Sequence, residues 1–264
     1  MSDPGSMSNA GDVSHVVREL GLDFSIDGGV ATGHAAVFGE LCVPGATALR
    51  TSVLATWADV VTGLLALNLT VPRPALTLDL DVQVLEPAEI GDTISVEART
   101  VKAGRTVLVC EARFRNETSG ALSAVCHASF VASPNPGHVI SRRFLAGLAE
   151  GPSRLPVPLA ERVGSVVVAP GTAEVPRRVD GLNSGGAIQG GLVAFAAEEA
   201  AASSVGEPVV LTALGLRYLR PFSVGPARAV ADRYGEVCLV HLTDVGTGRL
   251  GAVATARLTD AKPR

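Results

Sequence analysis

Charged and aromatic residues are both scarce in this sequence. Asp, Glu, Lys and Arg together make up 18% of the 264 residues, the formal net charge is −4, and aromatic residues make up 4%. Without a basic field or a block of Lys and Arg, nothing favours nucleic acid or a lipid surface as a partner. The composition therefore favours a small-molecule ligand.

Several catalytic and metal-binding patterns are also missing. The four cysteines have no CxxC spacing, and His34, His127 and His241 stand singly in strand-like segments. No GxSxG turn, which positions the nucleophile of many serine hydrolases, is present. Because metal sites need clustered ligands, we predict neither a metal nor a cofactor.

Signals for export or membrane insertion are missing as well. The first 20 residues contain no basic segment followed by an apolar one, which a signal peptide requires. The most apolar long segment, residues 53–69, is interrupted by Asp59 and is too short and polar for a convincing membrane span. The sequence thus predicts a cytoplasmic protein with no membrane partner.

The sequence does contain one order of elements twice. Alternating and helical periodicity predict a strand at 34–43, a mostly buried helix at 48–67, and strands at 76–85, 92–101, 106–115 and 121–131. After residues 134–163, which are rich in Pro, Gly, Ser and Arg, a strand at 171–180, a helix at 189–203 and four more strands repeat that order. Pro87 and Gly91 align with Pro221 and Gly225.

This duplication predicts an α+β chain in which each half wraps a curved antiparallel sheet around one long helix. The boundaries that follow are an N-terminal tail (1–22), a first domain (23–133), a linker (134–163) and a second domain (164–264). A helix covered by strands on most sides should be apolar all round, and both predicted helices are.

A family resemblance rests on the stretch "NSGGAIQGGLVAFAAE", residues 183–198. It resembles the Asn, Gly, His-Gly-Gly and helix-acid pattern of the hotdog-fold acyl-CoA thioesterases of the phenylacetic-acid-degradation type, here fused in tandem. Gln189 stands where that family commonly has His, and Glu198 stands at the acid position. The first half keeps the spacing to Asp59 but has Arg50, Thr51 and Ser52 in place of His-Gly-Gly. The resemblance implies two hotdog domains and hydrolysis of an acyl-CoA thioester.

The chemistry requires a carboxylate that attacks the carbonyl carbon or activates water, and donors that stabilise the oxyanion. Gly190 and Gly191 open the second helix and could expose backbone N–H groups, while Asn183 and Gln189 could add amide donors. Eight residues, or about 12 Å of helix rise, separate Gly190 from Glu198, so these two cannot share one site.

Antiparallel packing of the two helices would instead place Asp59 opposite Gly190 and Glu198 opposite residues 50–52. We therefore predict a complete site made by Asp59, Asn183, Gln189 and Gly190, with a second site where Glu198 faces weaker donors. The family, whose sites are built across a subunit interface, implies the same division. Further substrate-binding candidates are Gly191, Thr62, Arg217 and Arg220, the two arginines for the phosphates of coenzyme A.

Alternative interpretations stay open for each group. Asp59 could be a helix acid paired with a buried arginine, and Glu198 and Glu199 could form a solvated patch at one helix end. The glycines could form only a tight turn, and Thr62 could bond its own helix. The protein could also be a hotdog enoyl-CoA hydratase, although the expected Asp-x4-His stretch is missing, or a non-catalytic acyl-ligand binder. A fused pair of this kind is expected to associate further into a homo-oligomer.

Overall fold

The computed structural model describes residues 15–140, 153–206 and 208–260. In the first half of the chain, a short helix and a hairpin precede one long helix and four long strands. These elements are α1 (Val16–Glu19), β1 (Asp23–Asp27), β2 (Val30–Ala36), a 3-10 turn (Gly39–Leu41), α2 (Thr51–Thr70), β3 (Ala75–Val84), β4 (Thr93–Ala103), β5 (Val107–Asn116) and β6 (Leu122–Ala132).

The second half repeats that order. Its elements are α3 (Leu159–Val163), β7 (Val166–Ala169), β8 (Thr172–Val175), a 3-10 turn (Val179–Gly181), α4 (Gly190–Ser203), β9 (Val209–Tyr218), β10 (Ala227–Tyr234), β11 (Val237–Asp244) and β12 (Arg249–Asp260). The two halves therefore match element by element, and the predicted tandem of two hotdog domains is confirmed.

The strands form one continuous antiparallel sheet in the order β1-β2-β4-β5-β6-β3-β9-β12-β11-β10-β8-β7. The order is symmetric about the β3–β9 pair, in which Asp81 lies opposite Gly215. In β3 the side chains of Leu80 and Val82 are buried, whereas Asp81 between them is directed to the outer face. This alternation fixes which side of the sheet covers the helices.

The two long helices pack against each other inside the curved sheet. Thr51 at the start of α2 bonds Glu198 in the middle of α4, and Asp59 farther along α2 bonds Gln189 at the start of α4. Residue numbers thus rise along one helix as they fall along the other, so the helices are antiparallel. A Cβ on Gly191 would overlap the side chain of Thr56, which shows how closely they approach.

Helix α2 is long and apolar enough to cross a membrane by length and composition, but 61% of its most apolar 18-residue window is buried inside the protein. Trp57, the one tryptophan of the chain, is among its fully buried residues. Burial within the sheet accounts for the apolar character of this helix, as expected for a helix surrounded by strands.

Several predicted boundaries were wrong. The strand predicted at 34–43 ends at Ala36, and the strand predicted at 171–180 covers only Thr172–Val175; a 3-10 turn follows each of them a few residues later. The predicted elements also omitted β1 and β7, the outermost strands of the sheet.

The segments predicted as tail and linker contribute to the hydrophobic core. Val16 and Leu20 from the first of these segments are buried, as are Leu155, Leu159 and Val163 from the second. Their apolar residues are too few and too widely spaced to produce a strong periodic signal, which is why composition alone indicated loops.

Candidate active site

Asp59 lies on α2, where its partly buried carboxylate faces the other half of the chain. Thr77 of β3 donates its hydroxyl to Oδ1 at 2.9 Å, and Gln189 donates its amide Nε2 to Oδ2 at 3.0 Å. Burial raises the pKa of Asp59 to about 6, although both hydrogen bonds act to lower it. The group can therefore exchange a proton near neutral pH, which general acid-base catalysis requires.

Gln189 is the N-cap of α4 and connects that helix to Asp59. Its Oε1 accepts the N–H of Gly191, while its Nε2 donates to the Asp59 carboxylate. Because one side chain makes both bonds, the amide holds the carboxylate in a fixed position relative to the helix start. The Gly191 N–H is consequently occupied and is not available to a substrate.

Gly190, the first residue of α4, lies directly beside Asp59. A Cβ placed on it would be 3.3 Å from both Asp59 Oδ2 and the hydroxyl oxygen of Tyr218. Within the described part of the chain, no group accepts a hydrogen bond from the Gly190 N–H. A free donor at a helix N-terminus attracts negative charge, so this position suits an oxyanion.

Tyr218 of β9 completes a connected set of hydrogen bonds. Its hydroxyl donates to the carbonyl oxygen of Gly190 at 2.9 Å, and that carbonyl shares a peptide unit with the N–H that Gln189 accepts. Burial, together with the nearby charge of Asp59, raises the pKa of Tyr218 well above its usual value, so the phenol stays protonated and donates. The bonds thus run from Tyr218 through the helix start to Asp59.

A buried thiol lies in the same region. Burial, and secondarily the charges of Asp59 and Asp81, raise the pKa of Cys126 well above its usual value. Because a reactive cysteine needs a lowered pKa, Cys126 is not suited to act as a nucleophile here. Asp59 remains the titratable group of this site with a pKa near neutrality.

The equivalent position in the other half is closed. Glu198 on α4 faces the start of α2, where its Oε1 accepts the Thr51 N–H at 2.9 Å and its Oε2 accepts the hydroxyl of Ser52. Arg50 Nη1 lies 3.6 Å from Glu198 Oε2 and 2.7 Å from Glu199 Oε1. The helix N–H that is free at Gly190 is therefore occupied at Thr51.

Burial dominates the electrostatics of this closed position. Glu198 is 1% exposed, and burial raises its pKa although Arg50 and the Ser52 hydrogen bond oppose the shift. Arg50 also stacks over the ring of Phe195 with its guanidinium carbon 4.9 Å from the ring centre. With its carboxylate oxygens bonded within the protein, Glu198 has the geometry of a structural partner, and Glu199 supports it through Arg50.

The remaining predicted residues do not join Asp59. The Asn183 side chain is used within its own loop, where Oδ1 accepts the N–H groups of Gly185 and Ala187 at 2.9 and 3.1 Å. Thr62 is buried and donates to the Ala58 carbonyl at 2.6 Å, so its hydroxyl is used within its own helix. Gly191 is likewise buried, because it provides the close approach of the two helices.

The two arginines predicted to bind phosphate lie elsewhere. Arg217 is directed to the outer face of the sheet, since Tyr218, its neighbour in β9, is directed inward to Gly190. Arg220 is exposed and donates to the Leu250 carbonyl at 3.2 Å. Arg217 and Arg220 therefore lie apart from Asp59, and their contact with the phosphates of coenzyme A stays a prediction.

A depression of about 380 Å³ lies on that outer face and is lined by residues that include Asp81, Gly215, Arg217 and His241. It is separated from Asp59 by the sheet itself, because its lining side chains alternate with buried ones along β9 and β11. The size of this depression therefore does not indicate where the Asp59 site opens.

Two residues of the Asp59 site were missed from the sequence. Thr77 reaches Asp59 because the register of β3 shifts between Thr77 and Asp79, and Tyr218 is one of only two tyrosines, adjacent to the arginine that was selected. Alternation with Leu214 and Leu216 could have placed Tyr218 on the helix side of the sheet, whereas unbroken alternation with Leu80 and Val82 would have placed Thr77 on the outer face. Among the described residues, no group of three His, Cys, Asp or Glu side chains could hold a metal ion.

The fold and this arrangement define a double hotdog protein, in which the start of one central helix meets the middle of the other. Residues 51–123 match the family model of the thioesterase superfamily, so this segment of the first half carries that family's signature. A Caenorhabditis elegans protein named as an esterase is 33% identical over 85 residues, which are 31% of this chain and 50% of that protein. The chain thus aligns with about half the length of this relative.

Solved structures resemble the chain over nearly its whole length. The 12:0-ACP thioesterase from Umbellularia californica is 13% identical with a TM-score of 0.63, and the match covers 91% of this chain and 100% of that one. An acyl-ACP thioesterase from Bacteroides thetaiotaomicron is 9% identical with a TM-score of 0.62, covering 87% and 98%. At these identities the likeness concerns the fold.

Proposed function

We propose that this protein hydrolyses an acyl thioester, with acyl-coenzyme A as the substrate, at a single site formed by Asp59 and Gly190. The observation that carries the proposal is the free Gly190 N–H beside a carboxylate whose pKa is about 6. Acyl transfer to water requires a general base and a hydrogen-bond donor that stabilises the oxyanion, both within one site.

In the proposed reaction, Asp59 accepts a proton from a water molecule while the water oxygen bonds to the thioester carbonyl carbon. The Gly190 N–H stabilises the resulting oxyanion. Collapse of the tetrahedral intermediate breaks the carbon–sulfur bond, and the proton on Asp59 passes to the departing thiolate. The products are the free acid and the thiol, and water is the only other reactant.

Thr77 and Gln189 hold the base in this proposal. Their hydrogen bonds reach different oxygens of Asp59, at 2.9 and 3.0 Å, and leave each oxygen with a further lone pair for the water. A direct attack by Asp59 on the carbonyl carbon would use the same geometry: the carbon–sulfur bond breaks, the thiolate leaves, and a mixed anhydride forms on Asp59. Water then opens that anhydride to the free acid and the Asp59 carboxylate, and the proton that water releases goes to the thiolate. Either route needs the Asp59 carboxylate ionised.

The comparisons support the reaction class. The matched thioesterase-superfamily segment, residues 51–123, includes both Asp59 and Thr77, and the related C. elegans protein is named as an esterase. The two solved structures described above, which share the double fold over their whole length, are acyl-ACP thioesterases by name. The thioester is thus better supported than the identity of its carrier.

The test is release of free thiol from a panel of acyl-coenzyme A thioesters that differ in chain length and in aromatic groups. We expect release from at least one member, and purified protein that releases thiol from none of them would contradict the proposal. Parallel assays for hydration of a 2-enoyl thioester and for saturable binding without turnover identify the two rival functions.

A further inference from the structure

Two basic side chains lie against the loop that leads into α4. The bridge between Leu182 and Ile188 closes the base of this loop, so residues 183–187 project from the start of the helix. Arg177 donates from Nε and Nη2 to the Gly186 carbonyl at 3.2 and 2.7 Å. The His138 ring lies beside Gly185, with its Cε1 3.4 Å from the position of a Cβ there.

A third basic group, Arg73, reaches the same place from the first half of the chain. Its Nη1 donates to the Ser133 carbonyl at 3.1 Å, and the Ser133 hydroxyl lies 3.3 Å from His138 Nδ1. Neither Asp nor Glu occurs in segments 70–74, 133–140 and 183–189. The segment that holds Arg177 contains Glu174, which pairs with Arg228, and Asp180, which pairs with Arg162 and Arg178. We call Arg73, His138 and Arg177 the basic rim; the two acids near Arg177 in sequence are paired with other arginines.

The rim lies within reach of the Asp59 site along two separate paths. Arg73 precedes Thr77 by four residues, and Gly186 precedes Gly190 by four. Four extended residues span at most about 13 Å, to which an arginine side chain adds its own length. A pantetheine arm, about thirteen bonds from its sulfur to its phosphate, spans roughly 15 Å when extended. The distances are therefore comparable.

We propose that the basic rim binds the phosphate of a phosphopantetheine thioester, whether that arm belongs to coenzyme A or to a carrier protein. The inference rests on the proposed function in one respect, since it places the sulfur end of the arm at Asp59. Arg73 and Arg177 are exposed, and guanidinium groups offer the planar pairs of donors that match phosphate oxygens. The rim takes over the role predicted for Arg217 and Arg220.

Calorimetric titration of the full chain with coenzyme A, 4′-phosphopantetheine and pantetheine tests this assignment without any turnover. We expect Arg73→Ala and Arg177→Ala each to weaken binding of the two phosphorylated ligands about 5- to 10-fold, because an exposed charge-assisted contact is lost. Binding of pantetheine should change less than twofold. Raising the salt concentration should weaken the binding of the two phosphorylated ligands only.

Arg233→Ala is the matched control, because Arg233 is also exposed and donates its Nε to a loop carbonyl, that of Gly235, at 2.8 Å in a different hairpin. It should leave all three ligands unaffected. The proposal is overturned if the rim variants bind pantetheine as weakly, relative to wild type, as they bind the phosphorylated ligands, because that would indicate a distorted loop. It is also overturned if the rim variants bind all three ligands as tightly as wild type does. A loss confined to coenzyme A would also overturn it, since the adenosine phosphates would then be the groups bound.

The outcomes separate this inference from the proposed function. Selective loss of phosphorylated ligands in a protein that hydrolyses no thioester would support the rim and reject hydrolysis. Thioester hydrolysis by a protein whose rim variants bind all three ligands normally would support hydrolysis and reject the rim.

Discussion

The Asp59 carboxylate lies against Gly190, with Oδ2 3.3 Å from the position that a Cβ would take on that glycine. The corresponding pair in the other half is Glu198 and Thr51, and there the carboxylate accepts the helix N–H at 2.9 Å. The side chain of Glu198 is one methylene group longer than that of Asp59. The longer acid bonds the first helix N–H, at Thr51, and the shorter acid leaves the first helix N–H, at Gly190, free. This asymmetry is the basis of the predictions that follow.

Gly190→Ala should lower kcat/KM about 10- to 100-fold while the protein stays folded. Its Cβ would require Asp59 and Tyr218 to move by a few tenths of an ångström, and small displacements of catalytic groups are costly. Gly63→Ala is the control, because a Cβ there meets Phe130 at an ordinary 3.7 Å. That variant should keep its activity and gain up to about 1 kcal/mol in free energy of unfolding. Full activity in Gly190→Ala would contradict the assigned oxyanion donor.

Asp59→Glu should convert the open site into a copy of the closed one. The longer carboxylate can reach the Gly190 N–H as Glu198 reaches the Thr51 N–H, so it would occupy the oxyanion position. We expect a loss of at least about 10²-fold in kcat, the usual effect of losing one oxyanion donor. Thermal unfolding should confirm that the variant is folded. Wild-type activity in this variant would show that the length of the acid does not decide the asymmetry.

The pH dependence of kcat/KM should report the ionisation of Asp59. The pKa of this group is about 6, and the reaction needs its ionised form. The kcat/KM for thiol release should therefore fall about tenfold per pH unit below about pH 6. Above about pH 6 it should reach a plateau. An activity that stays constant from pH 7 down to pH 4.5 would exclude Asp59 as the base.

Protein stability should depend on the same group. Because the pKa of Asp59 is raised from 3.8 to about 6, the folded protein holds a proton that the unfolded chain has released, so stability falls as pH rises through this window. The loss in free energy of unfolding is at most about 3 kcal/mol. Solvent contact at the partly exposed carboxylate makes it smaller. Asp59→Asn should lack this loss. Denaturant unfolding of both proteins at pH 4 and pH 7 measures the difference, and parallel pH profiles would refute it.

The sequence indicated the fold more fully than the site. Alternation in strands such as 76–85 and the apolar helices are local signals, so the paired domains and the antiparallel helices could be predicted. The facing of Asp59 and Gly190 followed from that packing. Tyr218 and Thr77 could not be singled out, because their roles depend on contacts between residues that are far apart in the sequence. Tyr218 contacts Gly190, 28 residues away, and Thr77 contacts Asp59, 18 residues away.

Local hydrogen bonds explain why two of the predicted residues do not join Asp59. Thr62 bonds the carbonyl four residues before it, and Asn183 bonds two N–H groups of its own loop, as these residue types often do. The carboxylates could be placed opposite the helix starts, but spacing alone does not show that Glu198 spans the gap and Asp59 does not.

The central claim is that one of the two related positions is active, and the activities of Asp59→Asn and Glu198→Gln test it most directly. An amide keeps the shape of the acid but cannot accept the proton, so Asp59→Asn should lose about 10²- to 10⁴-fold in kcat/KM. Glu198→Gln should be destabilised by about 1–3 kcal/mol, because the Thr51 N–H and the Ser52 hydroxyl lose a charged acceptor while Arg50 keeps Glu199. The folded variant should retain kcat/KM within about threefold. The reverse order, with Glu198→Gln inactive while folded and Asp59→Asn close to wild type, would contradict the account.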